Sequence, residues 1–270
     1  MVLQFPTVSF PDRLPPFQAA KSLAEVFREY SQWLDVLGVS TMDSIHERVA
    51  TGKALDLILI SEAFHGEALA RMARAICDRP SVRLVCLAGP SGSGKTTTAR
   101  RLQIQLQVCG RHPVSISLDD YFVDREDTPR DEKGDYDFEA LEALDLKLIN
   151  EHLEALLAGE EVQLPKFNFL TGQRAPGKKL RLRQGDLLII EGIHGLNDRL
   201  TESIPDEMKY RIFISPLTGV SLDRHNRTST TDDRLLRRMV RDYRRRGHSP
   251  EGTLLRWPSV IRGSHKHIFP

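Results

Sequence analysis

The sequence predicts an α/β fold, in which helices flank a parallel β-sheet and a β-hairpin and a small N-terminal helical region are added to it. Short continuous apolar runs such as LVCLA, at positions 84–88, are typical of parallel strands buried on both faces. Such runs alternate along the chain with segments whose apolar residues recur at three- and four-residue steps. Strands that alternate with helices indicate a parallel sheet covered on both faces.

The composition limits the class of protein. The 270-residue chain has a formal net charge of +1, with 40% hydrophobic and 28% charged residues, which is close to the average for globular proteins. A net charge this close to zero argues against a protein whose whole surface binds nucleic acid, although it says nothing about local basic patches. The three cysteines lack zinc-site or disulfide spacing, and neither a signal sequence nor a membrane-spanning apolar run is visible. We therefore expect a cytoplasmic protein with no membrane partner.

The first 80 residues are predicted to form an extended arm followed by helices. Prolines at positions 6, 11, 15 and 16 favour an extended opening, because proline removes backbone donors and disfavours helix in the preceding residue. Glycine or proline follows each segment with helical spacing. The predicted helices run from about Ala20 to Leu37, from Met42 to Ala50 and from His65 to Cys77. We interpret 1–80 as an arm and helical linker region and 81–270 as a separate domain.

Strands and helices alternate after Pro80. Between them, residues 162–186 contain two stretches of period-two alternation around TGQRAPG, which predicts a β-hairpin that could wall a substrate pocket. We expect four main parallel strands. The predicted strands are Leu84–Ala88, Val114–Leu118, Leu187–Ile190 and Tyr210–Ile214, and the helical segments are Lys95–Cys109 and about Leu141–Leu157.

A phosphate-binding motif follows the first of these strands. GPSGSGKT, at positions 89–96, satisfies G-x-x-x-x-G-K-[ST] and lies between a predicted strand and a predicted helix, as this motif requires. Lys95 would neutralise β and γ oxygens, and the Thr96 hydroxyl is placed to bind Mg²⁺. A nucleoside triphosphate with magnesium is the expected ligand. The candidate nucleotide-binding residues are Gly89, Ser91, Gly92, Ser93, Gly94, Lys95, Thr96 and Thr97.

Carboxylates stand at the ends of two further predicted strands. Glu191 ends LLIIE, where ligands gather in open α/β sheets, and is a second candidate metal ligand; a solvent-facing strand end is the alternative. Asp119 and Asp120 follow VSISL. A kinase needs a group there to accept a proton from the acceptor hydroxyl, whereas a helix cap or turn is the local alternative. Asp119 is also a candidate metal ligand.

Six segments together carry a resemblance to a known family. They are GPSGSGKTT, SLDDYF, DYDFEALEALD, LPKFNFLTGQR, IIEGIHGL and LLRRMVRDYRRRG. In this order they resemble the uridine kinase and phosphoribulokinase family of P-loop kinases, from Arg83 to the C-terminus. The chain is similar in particular to a bacterial uridine-kinase-like branch, in which the kinase domain follows a TGS domain and a segment resembling the editing region of threonyl-tRNA synthetase.

The resemblance implies a fold, cofactors and a substrate class. The fold would be a P-loop NTPase of the NMP-kinase type, with 81–270 as the kinase domain. ATP and Mg²⁺ would be the cofactors, and the partner would be a small-molecule hydroxyl acceptor, with a nucleoside as one candidate. A homo-oligomer is compatible with all of this and is neither required nor opposed by the sequence.

The resemblance also implies roles for individual residues. Asp119 matches the catalytic base, with Lys95 holding the donor phosphates. Arg238 and Arg241 match lid-helix arginines that approach substrate and phosphates, and are candidate catalytic and substrate-binding residues. The other candidate substrate contacts are Asp120, Tyr121, Phe167, which would pack on a nucleoside base, and Asp137 or alternatively Glu139, which would hold ribose hydroxyls.

The predicted lid helix is amphipathic in its own right. Leu235, Leu236, Met239, Val240 and Tyr243 form an apolar face, and Arg234, Arg238, Arg241 and Arg245 follow helical steps on another. Solvation or RNA contact is the alternative use of such an arginine face.

Several features depart from the family pattern. Gly172 and His248 stand where uridine kinases have a base-reading histidine and arginine, so another sugar, a polyol or another hydroxyl compound remains open as acceptor. The chain ends in RGSHKHIFP, for which we expect no closing helix and a kinase domain shortened at its C-terminus. His194 and His225 are a weak metal-site signal.

Two other functions compete with the kinase interpretation. A nucleotide-binding regulatory module linked to translation or RNA is the main alternative, because the base-reading residues are missing. A switch GTPase is disfavoured, since the sequence has no convincing N-K-x-D guanine-reading motif.

Overall fold

The computed structural model describes residues 14, 21–132, 134–217, 220–223, 226 and 228–268. The predicted proline-rich arm falls outside this range. The chain divides into two compact units, which comprise the described residues of Met1–Leu57 with Leu217–Thr228 and those of Ile58–Pro216 with Ser229–Pro270. None of the described helices is long and apolar enough to cross a membrane.

Seven helices and six strands follow in chain order within the described residues. The helices are α1 (Lys21–Leu37), α2 (Met42–Ala50), α3 (Ala54–Cys77), α4 (Lys95–Val108), α5 (Leu146–Leu157), α6 (Thr230–Arg245) and α7 (Pro250–Gly263). The strands are β1 (Leu84–Ala88), β2 (His112–Ser117), β3 (Glu161–Asn168), β4 (Gln173–Arg181), β5 (Asp186–Gly192) and β6 (Lys209–Phe213).

The N-terminal helices agree with the predictions, except that α3 is longer. Thr41 caps α2 by accepting from the backbone N–H of Ser44, and α1 ends at Gly38, whose φ is +64°. α3 begins at Ala54 rather than at His65, because its first turns contain good helix formers and no glycine or proline. Its residues Leu69 and Ala73 are buried in the core under the sheet. The compact unit that contains the sheet therefore includes the part of α3 from Ile58 onward.

The central sheet has the order β2-β5-β1-β6, and its strands are all parallel. The four predicted strands are confirmed, with ends displaced by no more than two residues. The register places Glu191 of β5 beside both Ser117 of β2 and Leu87 of β1. The ends of the three strands that carry the predicted site residues therefore meet at one edge of the sheet.

Helices cover the sheet on both faces. Successive residues of a strand point to opposite faces, and β1 and β5 are buried throughout. Leu84 of β1 and Leu188 of β5 belong to a core that α5 completes. Val85 and Ile189 belong to the opposite core, which is completed by α3 and α4.

The predicted hairpin is formed by β3 and β4, which pair antiparallel with an irregularity between Gln163 and Pro165. Gly177 lies at this irregularity, and a Cβ there would be 2.9 Å from the carbonyl oxygen of Leu164. Because that is closer than a real Cβ approaches, the bent strand needs glycine at this position.

The last two helices correct one expectation and refine another. No closing helix was expected, yet α7 forms, capped by Ser249, with Trp257 buried. Gly252 and Pro258 are helix-breaking residues, so local propensity hides a helix that packing stabilises. In α6 the apolar residues Leu236, Val240 and Tyr243 are exposed, whereas Arg234 and Asp242 are buried. Its charged face therefore points inward.

Candidate active site

The glycine-rich loop turns between β1 and α4 as the motif predicts. Gly92 and Gly94 have φ values of +81° and +96°, which favour glycine. Gly89 is so close to neighbouring backbone that a Cβ would lie 2.1 Å from the carbonyl oxygen of Ile214. Among the described residues, Ser93 Oγ is buried without a hydrogen-bond partner. The loop ends at the N-terminus of α4, and this combination fits a bound polyphosphate.

Lys95 is the first residue of α4, and the charges of three carboxylates act on its amine. Its Nζ donates to the carbonyl oxygen of Pro90 at 3.3 Å. Burial lowers the pKa of Lys95, and the charges of Asp119, Glu191 and Glu139 oppose that shift. The amine is thus held at the phosphate loop and faces the carboxylates that follow β2 and end β5.

Glu191 is a buried carboxylate that two hydroxyls contact. Its Oε1 accepts from Ser117 Oγ at 2.8 Å and from Thr96 Oγ1 at 3.2 Å. Burial raises the pKa of Glu191 and the neighbouring Asp119 raises it further, while the Ser117 hydrogen bond and Lys95 oppose this. The carboxylate and the motif threonine are therefore in contact.

The Thr96 and Glu191 pair fits a magnesium ion. No group of three or more His, Cys, Asp or Glu side chains that could hold a metal occurs in the part of the chain that the structure describes. Mg²⁺ does not need such a group, because it commonly binds one or two protein ligands together with phosphate oxygens and water. Thr96 and Glu191 could therefore hold the ion together with phosphate oxygens and water.

Asp119 lies in the 3₁₀ turn Leu118–Tyr121 that follows β2. Its Oδ2 accepts from the guanidinium of Arg246 at 3.2 Å. Arg246 also stacks on the ring of Phe169, with 4.0 Å between the guanidinium carbon and the ring centroid, and burial lowers the pKa of Arg246. An arginine from the end of α6 and an aromatic residue after β3 thus enclose the predicted base.

The helix α6 rests directly on the phosphate loop. Arg234 Nε donates to the carbonyl oxygen of Ser91 at 3.0 Å, and Arg238 donates to Ser91 Oγ at 2.7 Å. A Cβ on Gly92 would lie 2.7 Å from the Arg234 carbonyl oxygen, so glycine permits this close approach. Two arginines of the predicted lid helix therefore contact the loop itself.

Acidic residues bind the predicted arginines. Arg238 lies 3.2 Å from an Asp242 oxygen and 3.9 Å from Glu139. Arg241 Nε donates to Asp242 at 2.9 Å. Burial raises the pKa of Glu139 although Arg238 and Lys95 lower it. Arg238 thus links the loop to Glu139, whereas Arg241 pairs with its neighbour on α6.

Asp120 and Phe167 position the hairpin. Asp120 forms an ion pair with Lys166 at 3.0 Å and accepts from the backbone N–H of Phe167 at 3.4 Å. The Phe167 ring is buried between Phe122 and Phe169, at centroid distances of 5.6 and 5.2 Å. These aromatic rings form an apolar wall beside Arg246.

Asp137 approaches the site from the loop before α5. It accepts from the backbone N–H of Glu139 at 3.2 Å, and His267 Nε2 lies 3.3 Å from its Oδ2. A Cβ on Gly263 would lie 2.4 Å from Glu139 Cβ. The end of α7 and the turn after it therefore hold both acidic residues of this loop.

Other predicted residues have the following surroundings. Tyr121 is buried and its hydroxyl bonds to His152 Nδ1 at 3.0 Å, and it lines a cavity that Thr96 and Glu191 also line. Thr97 is exposed on α4, next to Thr96. His194 is buried, with Nε2 bound to the carbonyl oxygen of Glu139 at 2.9 Å, and His225 lies outside the described residues.

The two departures from the family pattern have structural counterparts. Gly172 has a φ of +75°, and a Cβ there would lie 2.7 Å from the Arg125 guanidinium, which donates to the carbonyl oxygen of Phe169 at 3.1 Å. Arg125 thus occupies the space that a larger side chain at 172 would need. His248 lies 3.3 Å from Arg256, and burial lowers its pKa, as does Arg256.

Sequence reasoning did not single out Arg246, Phe169 or His267. Arg246 falls outside the helical step that selected the other arginines, since it caps the end of α6. Phe169 follows the period-two pattern of the hairpin and carries a signal that could have been used. His267 lies in a terminal segment without recognisable periodicity.

The fold and this site together define a class. A phosphate loop opens α4 beside a parallel sheet, and carboxylates and arginines converge on it; this is a P-loop nucleotide-binding α/β protein. The model of the "Phosphoribulokinase / Uridine kinase family" matches residues 84–270. The chain belongs to this family.

Individual relatives agree with this placement. The chain is 28% identical over 183 residues to a uridine kinase from Halobacterium salinarum, covering 68% of this chain and 72% of that protein. It is 29% identical over 188 residues to a uridine kinase from Deinococcus deserti, covering 69% and 80%. Among solved structures, a candidate fructose transport system kinase from Silicibacter sp. TM1040 aligns with a TM-score of 0.52 at 20% identity, covering 75% of this chain and 96% of that one. This last likeness shows the fold alone.

Proposed function

We propose that the protein is an ATP-dependent kinase that transfers the γ-phosphoryl group to a hydroxyl of a small molecule. The main support is that arginines at and next to α6 contact both the phosphate loop and Asp119. Arg238 binds Ser91 of the loop at 2.7 Å, and Arg246 binds Asp119 at 3.2 Å. A hydrolytic switch has no need of a carboxylate base enclosed by an aromatic wall.

The proposed transfer uses Asp119 as general base. Its carboxylate accepts the proton of the acceptor hydroxyl, whose oxygen attacks the γ-phosphorus. The bond from that phosphorus to the bridging oxygen breaks, and ADP leaves with the bond's electron pair. Lys95 and Arg238 would stabilise charge on the phosphoryl oxygens. Arg246 would turn from Asp119 towards the transferred group when the acceptor binds.

Magnesium is the proposed cofactor, held by Thr96 and Glu191. When bound, it would neutralise charge on the β- and γ-phosphate oxygens. Asp119 is near enough to raise the pKa of Glu191, which supports placing it beside the same metal, as a direct or a water-mediated ligand.

The acceptor is proposed to be a hydroxyl compound that packs against Phe167 and Phe169 and meets Asp137 or Glu139. The relatives named uridine kinases make a nucleoside the first candidate. Arg125, packed on Gly172, leaves no room for the base-reading histidine of the family, so sugars and polyols belong in the same test.

The remaining proposals concern context. We propose that the chain belongs to the bacterial uridine-kinase-like branch that is fused to TGS and threonyl-tRNA-synthetase-like domains, with 81–270 as its kinase domain. We also propose a cytoplasmic location, and a homo-oligomer as one state to be tested. The inward-facing arginines of α6 support phosphate binding in the site more than a nucleic-acid surface. An RNA-linked regulatory module remains the alternative function.

The test combines acceptor screening with one conservative variant. Purified protein with ATP and Mg²⁺ is given nucleosides, sugars and polyols, and acceptor-dependent ADP release is measured. Replacing Asp119→Asn should lower turnover about 10²- to 10⁴-fold while ATP affinity stays nearly unchanged. Lys95→Ala should instead weaken ATP binding.

Two results would count against the kinase. One is ADP release that is independent of every acceptor, and the other is equal turnover in the Asp119→Asn variant. Tight RNA binding with a steep salt dependence and no turnover would favour the regulatory module.

A further inference from the structure

A cavity of about 660 Å³ lies between α4 and the hairpin. It is lined by residues of α4, which include Thr96, and of β2, β3 and β4, together with Asp120 and Tyr121 of the turn after β2 and Glu191 of β5; we call it the α4–hairpin cavity. Its volume is within the range of small-molecule sites, about 300–1,000 Å³. Of the residues in the proposed kinase mechanism, Thr96 and Glu191 line this cavity, whereas Lys95, Asp119, Arg238 and Arg246 do not.

The cavity is separate from the proposed acceptor site. Asp120 lines it together with Lys166, whereas the neighbouring Asp119 is bound to Arg246. Phe167 and Phe169, the wall of the acceptor site, do not line the cavity. A ligand there would therefore lie on the other side of the turn that carries the base.

The lining has an excess of positive charge. Arg100 of α4 and Lys178 of β4 both line the cavity and are exposed. Neither has a carboxylate within ion-pairing distance among the described residues. The Asp120 carboxylate is already bound by Lys166 at 3.0 Å, and Glu191 by two hydroxyls. Two cations from different elements thus line one cavity, and neither forms an ion pair with any residue that the structure describes.

Polar and apolar groups complete the lining. Gln103 and Ser115 offer hydrogen-bonding groups, and Leu164 and Pro165 offer an apolar surface. A phosphate monoester carries a charge of about −1.5 to −2 near neutral pH, which matches one arginine and one lysine, and arginine binds phosphate through paired N–H groups. The carbon skeleton of such a ligand would lie against the apolar part.

We propose that the α4–hairpin cavity binds a phosphorylated small molecule, with its phosphate between Arg100 and Lys178. The site is distinct from the phosphate loop and from the acceptor site. Because Thr96 and Glu191 line the cavity, a ligand there would lie beside the two proposed metal ligands.

The chain offers a matched control for each cation. Arg101 and Lys179 are the next residues along α4 and β4, and neither lines the cavity. Arg101 pairs with Glu62 at 2.6 Å, and Lys179 pairs with Glu161 at 3.0 Å. The double variants Arg100→Ala/Lys178→Ala and Arg101→Ala/Lys179→Ala therefore remove the same charge from different places.

Binding is measured by titration calorimetry with saturating Mg·ADP, so that the phosphate loop is filled. The probes are ribose 5-phosphate, glycerol 3-phosphate and inorganic phosphate, with unphosphorylated ribose as the neutral comparison. Wild-type protein should bind at least one phosphorylated probe and not ribose. The Arg100→Ala/Lys178→Ala variant should bind it about 10- to 100-fold more weakly, since two charge-assisted contacts are lost. The Arg101→Ala/Lys179→Ala variant should stay within about twofold.

A third variant separates this cavity from the acceptor site. Arg246→Ala should leave binding of the probe within about twofold. An equal loss in this variant would place the ligand at the acceptor site and overturn the proposal, as would equal weakening by both double variants or no binding of any phosphorylated probe. No turnover is required, so failure of the kinase assay would not affect this result.

Discussion

Replacing Gly263→Ala should destabilise the protein, although alanine is normally the better helix former. A Cβ there would lie 2.4 Å from Glu139 Cβ and 2.7 Å from Glu139 Cγ, about 1 Å inside the ordinary carbon–carbon contact distance of ~3.5 Å. Overpacking of this kind costs about 1–3 kcal/mol, while the helix preference for alanine recovers about 0.5–1 kcal/mol. The net loss should be about 1–2 kcal/mol.

The control is Gly252→Ala in the same helix. Its Cβ would meet only Ser249 Oγ at 3.5 Å, an ordinary contact, so α7 should gain about 0.5–1 kcal/mol. For a chain of this size, 1 kcal/mol shifts the midpoint of thermal unfolding by about 2–4 °C. Followed by circular dichroism, the midpoint should therefore fall by roughly 2–8 °C for Gly263→Ala and rise by roughly 1–4 °C for Gly252→Ala. Shifts of the same sign, or an unchanged midpoint for Gly263→Ala, would refute the packing of the chain end on Glu139.

Three further predictions follow from individual contacts. Arg246→Ala should lower kcat/KM about 10- to 100-fold, because the site loses a partly buried cation. Arg244 is exposed near the end of the same helix, and Arg244→Ala should leave kcat/KM unchanged; equal effects of the two substitutions would contradict the role of Arg246. Burial raises the pKa of Glu139 above its ordinary 4.5. Above pH 4.5 the folded state therefore keeps a proton that the unfolded state releases. As the pH rises, the free energy of unfolding of the wild-type protein should fall relative to that of the Glu139→Gln variant. Denaturant unfolding of both proteins at several pH values measures this change. A difference in unfolding free energy that stays constant with pH would contradict the raised pKa. Gly172→Ala should destabilise by about 1–2 kcal/mol, because its positive φ is unfavourable with a Cβ and Arg125 must move; unchanged unfolding would contradict this.

Local patterns were sufficient for the sheet and the phosphate loop. LVCLA predicted β1 at its observed bounds, because a strand buried on both faces needs apolar residues at each position. The spacing of Gly89, Gly94 and Lys95 predicted the loop, because the backbone conformations at such a turn are open to glycine. The hairpin could also be predicted, because the alternation of apolar and polar residues in β3 reflects one buried and one exposed face.

Packing overrode local propensity at the end of the chain. Helix-breaking residues hid α7, and its buried Trp257 stabilises it. The arginine pattern of α6 was visible, but the direction in which that face points was not, because it depends on the loop that α6 contacts. The hydrogen bond between the Tyr121 hydroxyl and His152 could not be predicted either, because it joins residues that are 31 positions apart.

By itself, the sequence determined the α/β class, the phosphate loop, the strand-end carboxylates and the family, because each is written in residues that are close together in the chain. Only the tertiary structure decided that Arg246 reaches Asp119, across 127 positions, and that Gly263 makes room for Glu139. It also decided that Arg100 and Lys178, which form no ion pair within the described part of the chain, line the α4–hairpin cavity. Contacts of this kind form when distant segments pack together. No local pattern of residues records which segments will meet.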